Sequence, residues 1–238
     1  MKKLLTFLLI SVSSVSAKIY VGAQSGYSFM NANLKAEGTD YDFVARKQYL
    51  FTKKFPLHTL NFGFLGGYEF DNFKVVIPLL EVDYAFSGKS KELTAVDYTE
   101  GNNFLNEENL KVKQNYSLGT MPGVNIKISD NFSALIGLRF SMTNYTITAS
   151  HQVDGMIRAL NYKSKKDFVF GVEPTLGGSY RFTDNVAMRL TAGYTIAKKV
   201  TFIPNYLNSQ GSRDAGVSGA VSIRPRGFNL RAAIIFGF

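Results

Sequence analysis

Two groups of residues have the types that chemistry needs. In "SHQVD", Ser150, His151 and Asp154 offer a hydroxyl, an imidazole and a carboxylate, the ingredients of an activated nucleophile. Such a nucleophile works only when a rigid element holds its base in place. These three share one stretch that reads as a mobile loop, so ordinary loop residues are the better reading. The other histidine, His58, stands beside Pro56-Leu57 at a rim, in the phase of an apolar face. The chain has no cysteine, and no metal-ligand, phosphate-loop or dinucleotide spacing. No catalytic residue, metal or cofactor is expected.

The second group is a set of charges set into otherwise uncharged segments: Glu81, Asp83, Arg139, Glu173, Arg189 and Arg231. A charge withdrawn from water must be paired and hydrogen-bonded. These carboxylates and guanidiniums are therefore expected to form two acid–base clusters, an ionic core in place of an apolar one. A sharper use of the same groups is a gated narrow pore, in which the clusters change partners and pass ions. Glu69, Lys127 and Arg181 belong nearer one end. Which arginine meets which acid depends on strand register, which the residues alone leave open.

The elements that must position these charges follow a period of two. In "HTLNFGFLGGYEF", Leu60, Phe62, Phe64, Gly66, Tyr68 and Phe70 share one face, and Asn61, Gly63, Leu65, Gly67 and Glu69 the other. Strict alternation of this length predicts strands. Eight such segments can be drawn, at 18–31, 58–70, 73–87, 111–128, 132–148, 166–182, 186–198 and 222–238. Three links between them carry an Asp-Asn pair, at Asp71, Asp130 and Asp184. Both residue types tolerate left-handed backbone and suit tight hairpins. The other connections, 32–57, 88–110, 149–165 and 199–221, are long. Short and long links alternate, which is the layout of an outer-membrane barrel with periplasmic turns and extracellular loops.

The two faces agree with that reading. One carries Ile19, Val21, Tyr27, Phe29, Val76, Leu80, Val82, Tyr84, Phe86, Val112, Tyr116, Leu118, Phe132, Ile136, Leu138, Phe140, Met188, Leu190, Tyr194, Phe228, Leu230, Ile234 and Phe236, and is nearly free of charge. The other holds the six charges and most of the glycines. Eight strands leave an interior only wide enough for side chains, which small residues keep from crowding. The expected fold is all-β, an eight-stranded antiparallel up-and-down transmembrane barrel. The alternative is a soluble lipocalin-like carrier with the phases inverted, in which Phe62, Phe64, Leu80 and Phe170 would line a ligand cavity. Pro78, Pro122 and Pro174 fall mid-strand on the outer face, where each removes a ladder donor; bulges are one way to accommodate them.

The first segment, "MKKLLTFLLISVSSVSA", has basic Lys2 and Lys3, an apolar stretch from Leu4 to Val12 and a small-residue site ending at Ala17. It reads as a cleaved signal peptide, residues 1–17, with the barrel domain at 18–238. "EPTLGGSYRFTDNVAMRLTAGYTI", from Glu173 to Ile196, resembles a hairpin of the OmpA-like, OmpX-like and opacity-protein family of small outer-membrane barrels. "MPGVNIKISDNFSALIGLRF" and "LGGYEFDNFKV" are weaker copies. The ending "LRAAIIFGF" places Leu230, Ala232, Ile234, Phe236 and Phe238 in alternation. In that family such an ending is the signal read by the barrel assembly machinery. The resemblance implies an outer-membrane location in a Gram-negative bacterium, and roles that include adhesins, immune-evasion antigens, porin-family members and structural barrels. Some barrels of this size remodel lipid A, a remoter alternative here.

The chain is basic, with a formal net charge of +9. Much of the excess falls in the long connections: Arg46, Lys47, Lys53 and Lys54 in the first, Arg158, Lys163, Lys165 and Lys166 in the third, and Lys198, Lys199 and Arg213 in the fourth. A basic rim creates a positive field. It faces the phosphates of outer-leaflet lipopolysaccharide first, and a host surface glycan or protein second. Nucleic acid is not an expected partner of an exported chain.

Overall fold

A computed structural model describes residues 17–42, 45–70, 75–87, 91–95, 106–153, 165–202 and 217–237. They form ten strands: β1 (Ala17–Asp42), β2 (Ala45–Phe70), β3 (Val76–Ser87), β4 (Lys91–Ala95), β5 (Asn106–Lys127), β6 (Phe132–Val153), β7 (Lys165–Thr183), β8 (Val186–Ala197), β9 (Val200–Phe202) and β10 (Val217–Gly237). Eight of them pair antiparallel in the order β1-β2-β3-β5-β6-β7-β8-β10, and β10 pairs back onto β1. The sheet is thus a closed eight-stranded barrel, as the alternation predicts. β4 and β9 are short additions beside β5 and β10. Of the expected signal peptide, residues 1–16 lie outside the described residues.

The barrel is sheared. The row of paired residues that starts at Val21 runs through Gly66, Val82, Thr120, Phe140, Val172, Ile196 and Arg226, and re-enters β1 at Asn31. Strands in such a barrel tilt against its axis. Side chains at one height therefore often come from residues that are not register partners: some lumen contacts, such as Arg189–Ser179, join cross-strand pairs, while others, such as Arg139–Asp83, do not.

Two of the three Asp-Asn pairs lie within described turns. Between β7 and β8, Thr183 Oγ1 accepts from the N–H groups of Asn185 (3.3 Å) and Val186 (3.1 Å) around Asp184. Between β5 and β6, the N–H groups of Ile128 and Ser129 both donate to the Phe132 carbonyl at 3.0 Å, and Phe132 N–H donates to Ser129 Oγ at 3.1 Å. Asp71 and Asn72 lie outside the described residues.

The large apolar side chains point outward: Phe64 is 65% exposed and Phe170 60%, while Glu173 is 0% exposed. That ordering contradicts the inverted, lipocalin-like alternative. Phe62, Phe64, Leu80 and Phe170 coat the outside instead of lining a cavity. Two aromatic belts bound the apolar band. One contains Tyr27, Phe29, Phe62, Phe86, Tyr84, Tyr116, Phe168, Tyr194 and Phe228, the other Tyr68, Phe70, Tyr180 and Phe182. Aromatic girdles at both interfaces belong to transmembrane barrels. On β1 the band runs from Ile19 to Phe29, about the 9–11 residues that a tilted spanning strand needs.

Several expectations need correction. Val112 is 1% exposed, not outward. A bulge between Gln114 and Tyr116 inserts Asn115 into β5 and inverts the phase beyond it. The prolines are not at bulges. The β5–β6 ladder lapses at Met121 and Pro122 and the β7–β8 ladder at Glu173 and Pro174, each resuming in the same register, and Pro78 sits just past the last β2–β3 pair. Each proline costs one hydrogen bond without displacing the strand.

The long connections are also shorter than expected. β1 and β2 stay paired to Asp42↔Ala45. Arg46, Lys47, Lys53 and Lys54 therefore stand in β2, and Lys165 and Lys166 open β7. Ser150 and His151 stand in β6 opposite Asn109 and Glu108, not in a mobile loop. The reason is physical. Beyond the hydrocarbon both faces of a sheet meet water, so the apolar alternation fades while the backbone ladder continues. Lys198 and Lys199 occupy the short link between β8 and β9. Asp154, Arg158, Lys163, Arg213 and Phe238 lie outside the described residues.

Candidate functional site

The six charges project from β3, β6, β7, β8 and β10 into the lumen, and the structure brings them together in two groups. In the first, Arg139 on β6 donates from Nε to Asp83 Oδ2 (2.8 Å) and from Nη2 to Asp83 Oδ1 (2.6 Å), a two-pronged bond across the barrel to β3. Its Nη2 also reaches Ser117 Oγ at 3.3 Å, and its Nη1 lies 3.8 Å from Glu173. Glu173 accepts from Arg231 Nη2 at 2.6 Å on Oε1 and 2.8 Å on Oε2. Thr195 Oγ1 (2.7 Å) and Asn229 Nδ2 (2.9 Å) donate to Oε2 as well. With Thr175 Oγ1 at 3.4 Å from Oε1, two charged partners and three neutral donors thus satisfy a carboxylate that is 0% exposed, which is the condition for burying one.

In the second group, toward the short turns, Arg189 on β8 is paired with Glu81 on β3. Tyr20 hydroxyl donates to the same carboxylate at 2.8 Å, and its ring lies under the Arg189 guanidinium at 5.2 Å. Arg189 Nε donates to Ser179 Oγ at 3.1 Å, and Nη2 lies 3.9 Å from Glu69. Glu69 in turn accepts from Asn125 Nδ2 at 2.6 Å. Two small apolar clusters, Tyr20-Leu65-Ala233-Ile235 and Leu79-Met121-Leu135, are also buried in the barrel interior. Two glycines make room for the charges. A Cβ on Gly119 would strike the Asp83–Arg139 pair, and one on Gly193 would strike Glu173.

The lumen is divided accordingly. An outer cavity is floored by Arg139, Glu173 and Arg231, and a periplasmic one is roofed by Tyr20, Glu69 and Arg189. A small space between Glu81, Asp83, Arg139 and Arg189 separates them. Around the outer cavity runs a neutral polar belt. Asn61 donates to Ser28 (2.8 Å) and accepts from Ser87 (2.6 Å), while Asn115 donates to Asn144 (2.7 Å) and Thr146 (2.8 Å). Among the described residues, the paired side chains of Glu81, Asp83, Arg139 and Arg189 stand between the outer and the periplasmic cavity.

Outside the lumen, His58 points toward lipid. Its ring meets Phe29 edge-on at 5.8 Å and lies 6.1 Å from Tyr27, where it is part of the aromatic belt. Leu230, Ala232, Ile234 and Phe236 face outward along β10, between β1 and β8. Lys198 and Lys199 are exposed at the extracellular rim.

Sequence reasoning did not single out Tyr20, Asn229, Thr195, Ser117 or Asn125 as partners of the charges. Their signal was present in part. Each occupies the lumen phase of its strand, and a polar side chain or a lone inward tyrosine at such a position marks a hydrogen-bonding partner. Choosing among candidates required the stagger of the sheet.

The sequence profile of the outer membrane protein beta-barrel domain matches residues 4–236. No curated protein matches the chain. Similar solved structures include Ail, the attachment invasion locus protein of Yersinia pestis, solved with the heparin analogue sucrose octasulfate. It has 11% identity and a TM-score of 0.34, with 89% of this chain and 98% of that chain covered. Neisserial surface protein A has 14% identity and a TM-score of 0.40, covering 94% and 99%. A major outer membrane protein from Thermus thermophilus has 11% identity and a TM-score of 0.44, covering 94% and 100%.

Proposed function

The chain belongs to the outer membrane protein beta-barrel family and resides in the outer membrane of a Gram-negative bacterium, and from that premise we propose that it is a surface scaffold, a closed barrel that holds an extracellular sheet for adhesion to host or envelope partners. One observation carries this reading: the strands do not stop at the membrane. β1 and β2 remain paired from Ala32↔Phe55 to Asp42↔Ala45, and β10 accompanies β1 to Asp40↔Val217. That protruding sheet contains Lys35, Arg46, Lys47, Lys53 and Lys54. At about 3.3 Å per residue, a hairpin arm of this length stands some 35 Å along the strand beyond the aromatic belt. Among the described residues the six lumen charges are engaged with one another, which leaves the protruding sheet as the more accessible surface.

The test is display of the barrel on a non-adherent Gram-negative cell, with adhesion measured on surfaces coated with sulfated glycan, matrix protein or neutral glycan. The reading expects binding to at least one coated surface, lost when Arg46, Lys47, Lys53 and Lys54 are all replaced by Gln. Equal adhesion with and without the barrel on every surface would refute it.

A second reading, narrow gated conduction, is favoured by the side chains that neighbouring lumen cavities share: Gln24, Arg139 and Arg231 line both the outer and the middle one, and Arg189 both the middle and the periplasmic one. Conductance across a planar bilayer that rises on Arg189→Ala would support it, since that residue lines both the middle and the periplasmic cavity.

A further inference from the structure

On the outer wall, four strands bring the belt residues Tyr194, Phe228, Phe29 and His58 into one register row. Tyr194 and Phe228 stack edge-on at 4.9 Å. One outward step beyond, the row reads Ile196, Arg226, Asn31, Pro56, and the next places Arg224 beside Asn33 and Lys54. Exposed Lys198 directly follows the end of β8, two residues after Ile196, its backbone held by a 2.7 Å bond to the Phe170 carbonyl. Arg224 Nε reaches the Ala197 carbonyl at 3.4 Å. Lys198, Arg224 and Arg226 thus stand together just above an aromatic shelf. Arg226 Nε is buried, yet has no hydrogen-bond partner among the described residues. Its row neighbours Asn31, Ile196 and Pro56 carry no charge.

We propose that Arg224, Arg226 and Lys198 form a binding site for the phosphate of an outer-leaflet glycolipid, with the lipid's acyl chains lying on the Tyr194–Phe228–Phe29 shelf. The depth selects this ligand. Interfacial aromatic rings sit at headgroup level, so bases one or two outward steps above them meet lipid phosphates before anything in solution. Arginine suits the task, since its planar fork binds phosphate with two parallel hydrogen bonds, and Arg226 Nε, without a partner among the described residues, is a donor that such an acceptor would satisfy. The site lies on the lipid-facing wall and is independent of any partner of the protruding sheet.

The test titrates the purified barrel in neutral detergent with fluorescent lipid A carrying both phosphates, with its dephosphorylated form, and with inorganic phosphate as competitor. The bisphosphorylated lipid should bind, and the dephosphorylated lipid should bind at least tenfold more weakly. With about 1 kcal/mol for each basic group near anionic headgroups, R224Q/R226Q should weaken the phosphorylated lipid by roughly thirtyfold. Lys113→Gln, an exposed base on β5, should leave binding unchanged. A retained mobility shift between unboiled and boiled samples shows that each variant is folded. Equal affinity for the two lipid forms, or an unaltered affinity in R224Q/R226Q, would overturn the site. Inorganic phosphate competing at the lipid's own affinity would make it a free-anion site and overturn the lipid assignment; a variant-independent comparison of the two lipids stands even if R224Q/R226Q does not fold.

Discussion

Replacing Arg139 by Met is the sharpest perturbation of the lumen. Arg139 is 6% exposed and gives two hydrogen bonds to Asp83, which is 7% exposed. Glu173 would keep Arg231, Thr195 and Asn229, but Asp83 would lose its bonded cation. Stranding one member of a buried ion pair costs roughly 3–5 kcal/mol, whereas replacing both members by apolar groups of similar volume is often neutral or better. Arg139→Met and Asp83→Asn should therefore each destabilise by about 3 kcal/mol or more, and Asp83→Leu/Arg139→Met by less than either. Urea unfolding in detergent micelles, followed by the fraction that keeps the folded gel mobility, gives the three values. The difference between the double variant and the sum of the singles isolates the pair. Single variants that each cost under about 1 kcal/mol, the value of an exposed pair, would refute the reasoning, because they would mean that water solvates these groups inside the barrel. A double variant costing the full sum would refute it equally.

Other predictions follow from the same geometry. Tyr20→Phe removes the 2.8 Å donor to Glu81 and should cost about 1.5–3 kcal/mol in the same urea assay, as for hydrogen bonds to charged groups. Gly193→Val drives a side chain into Glu173 and should cost about 1–3 kcal/mol by overpacking. Val82→Arg puts a charge on the lipid face in the middle of β3 and should cost roughly 2–4 kcal/mol in a bilayer. Lys18→Ala removes only an exposed bond to the Asp184 carbonyl and should change stability by no more than about 0.5 kcal/mol.

The barrel was legible because lipid imposes a strict rule on every other residue. From Val76 to Phe86 an apolar side chain faces out at every second residue, and from Ile19 to Phe29 only Ala23 and Ser25 depart from large apolar ones, so the alternation states the phase of each lumen charge directly. Above the aromatic belt that demand ends. Lys35 to Asp42 and Ala45 to Lys54 read as loop, although their backbones stay in one ladder. Val112 was misread for a different reason: a single inserted residue, Asn115, inverts a strand's phase without any mark in composition. The inward direction of Glu81, Asp83, Arg139, Glu173, Arg189 and Arg231 could be read from the chain, but their partners could not. Arg139 finds Asp83 across the barrel, on a strand to which it is not hydrogen-bonded, and only the stagger of the closed sheet sets that pairing.

The claim that function lies outside a stoppered barrel is tested most directly by single-channel recording of the purified protein in a planar bilayer. The account predicts insertion without steady conductance, because Arg139, Arg189 and Arg231 are held by Glu81, Asp83 and Glu173 across the lumen. A stable open level in every inserted molecule would contradict it.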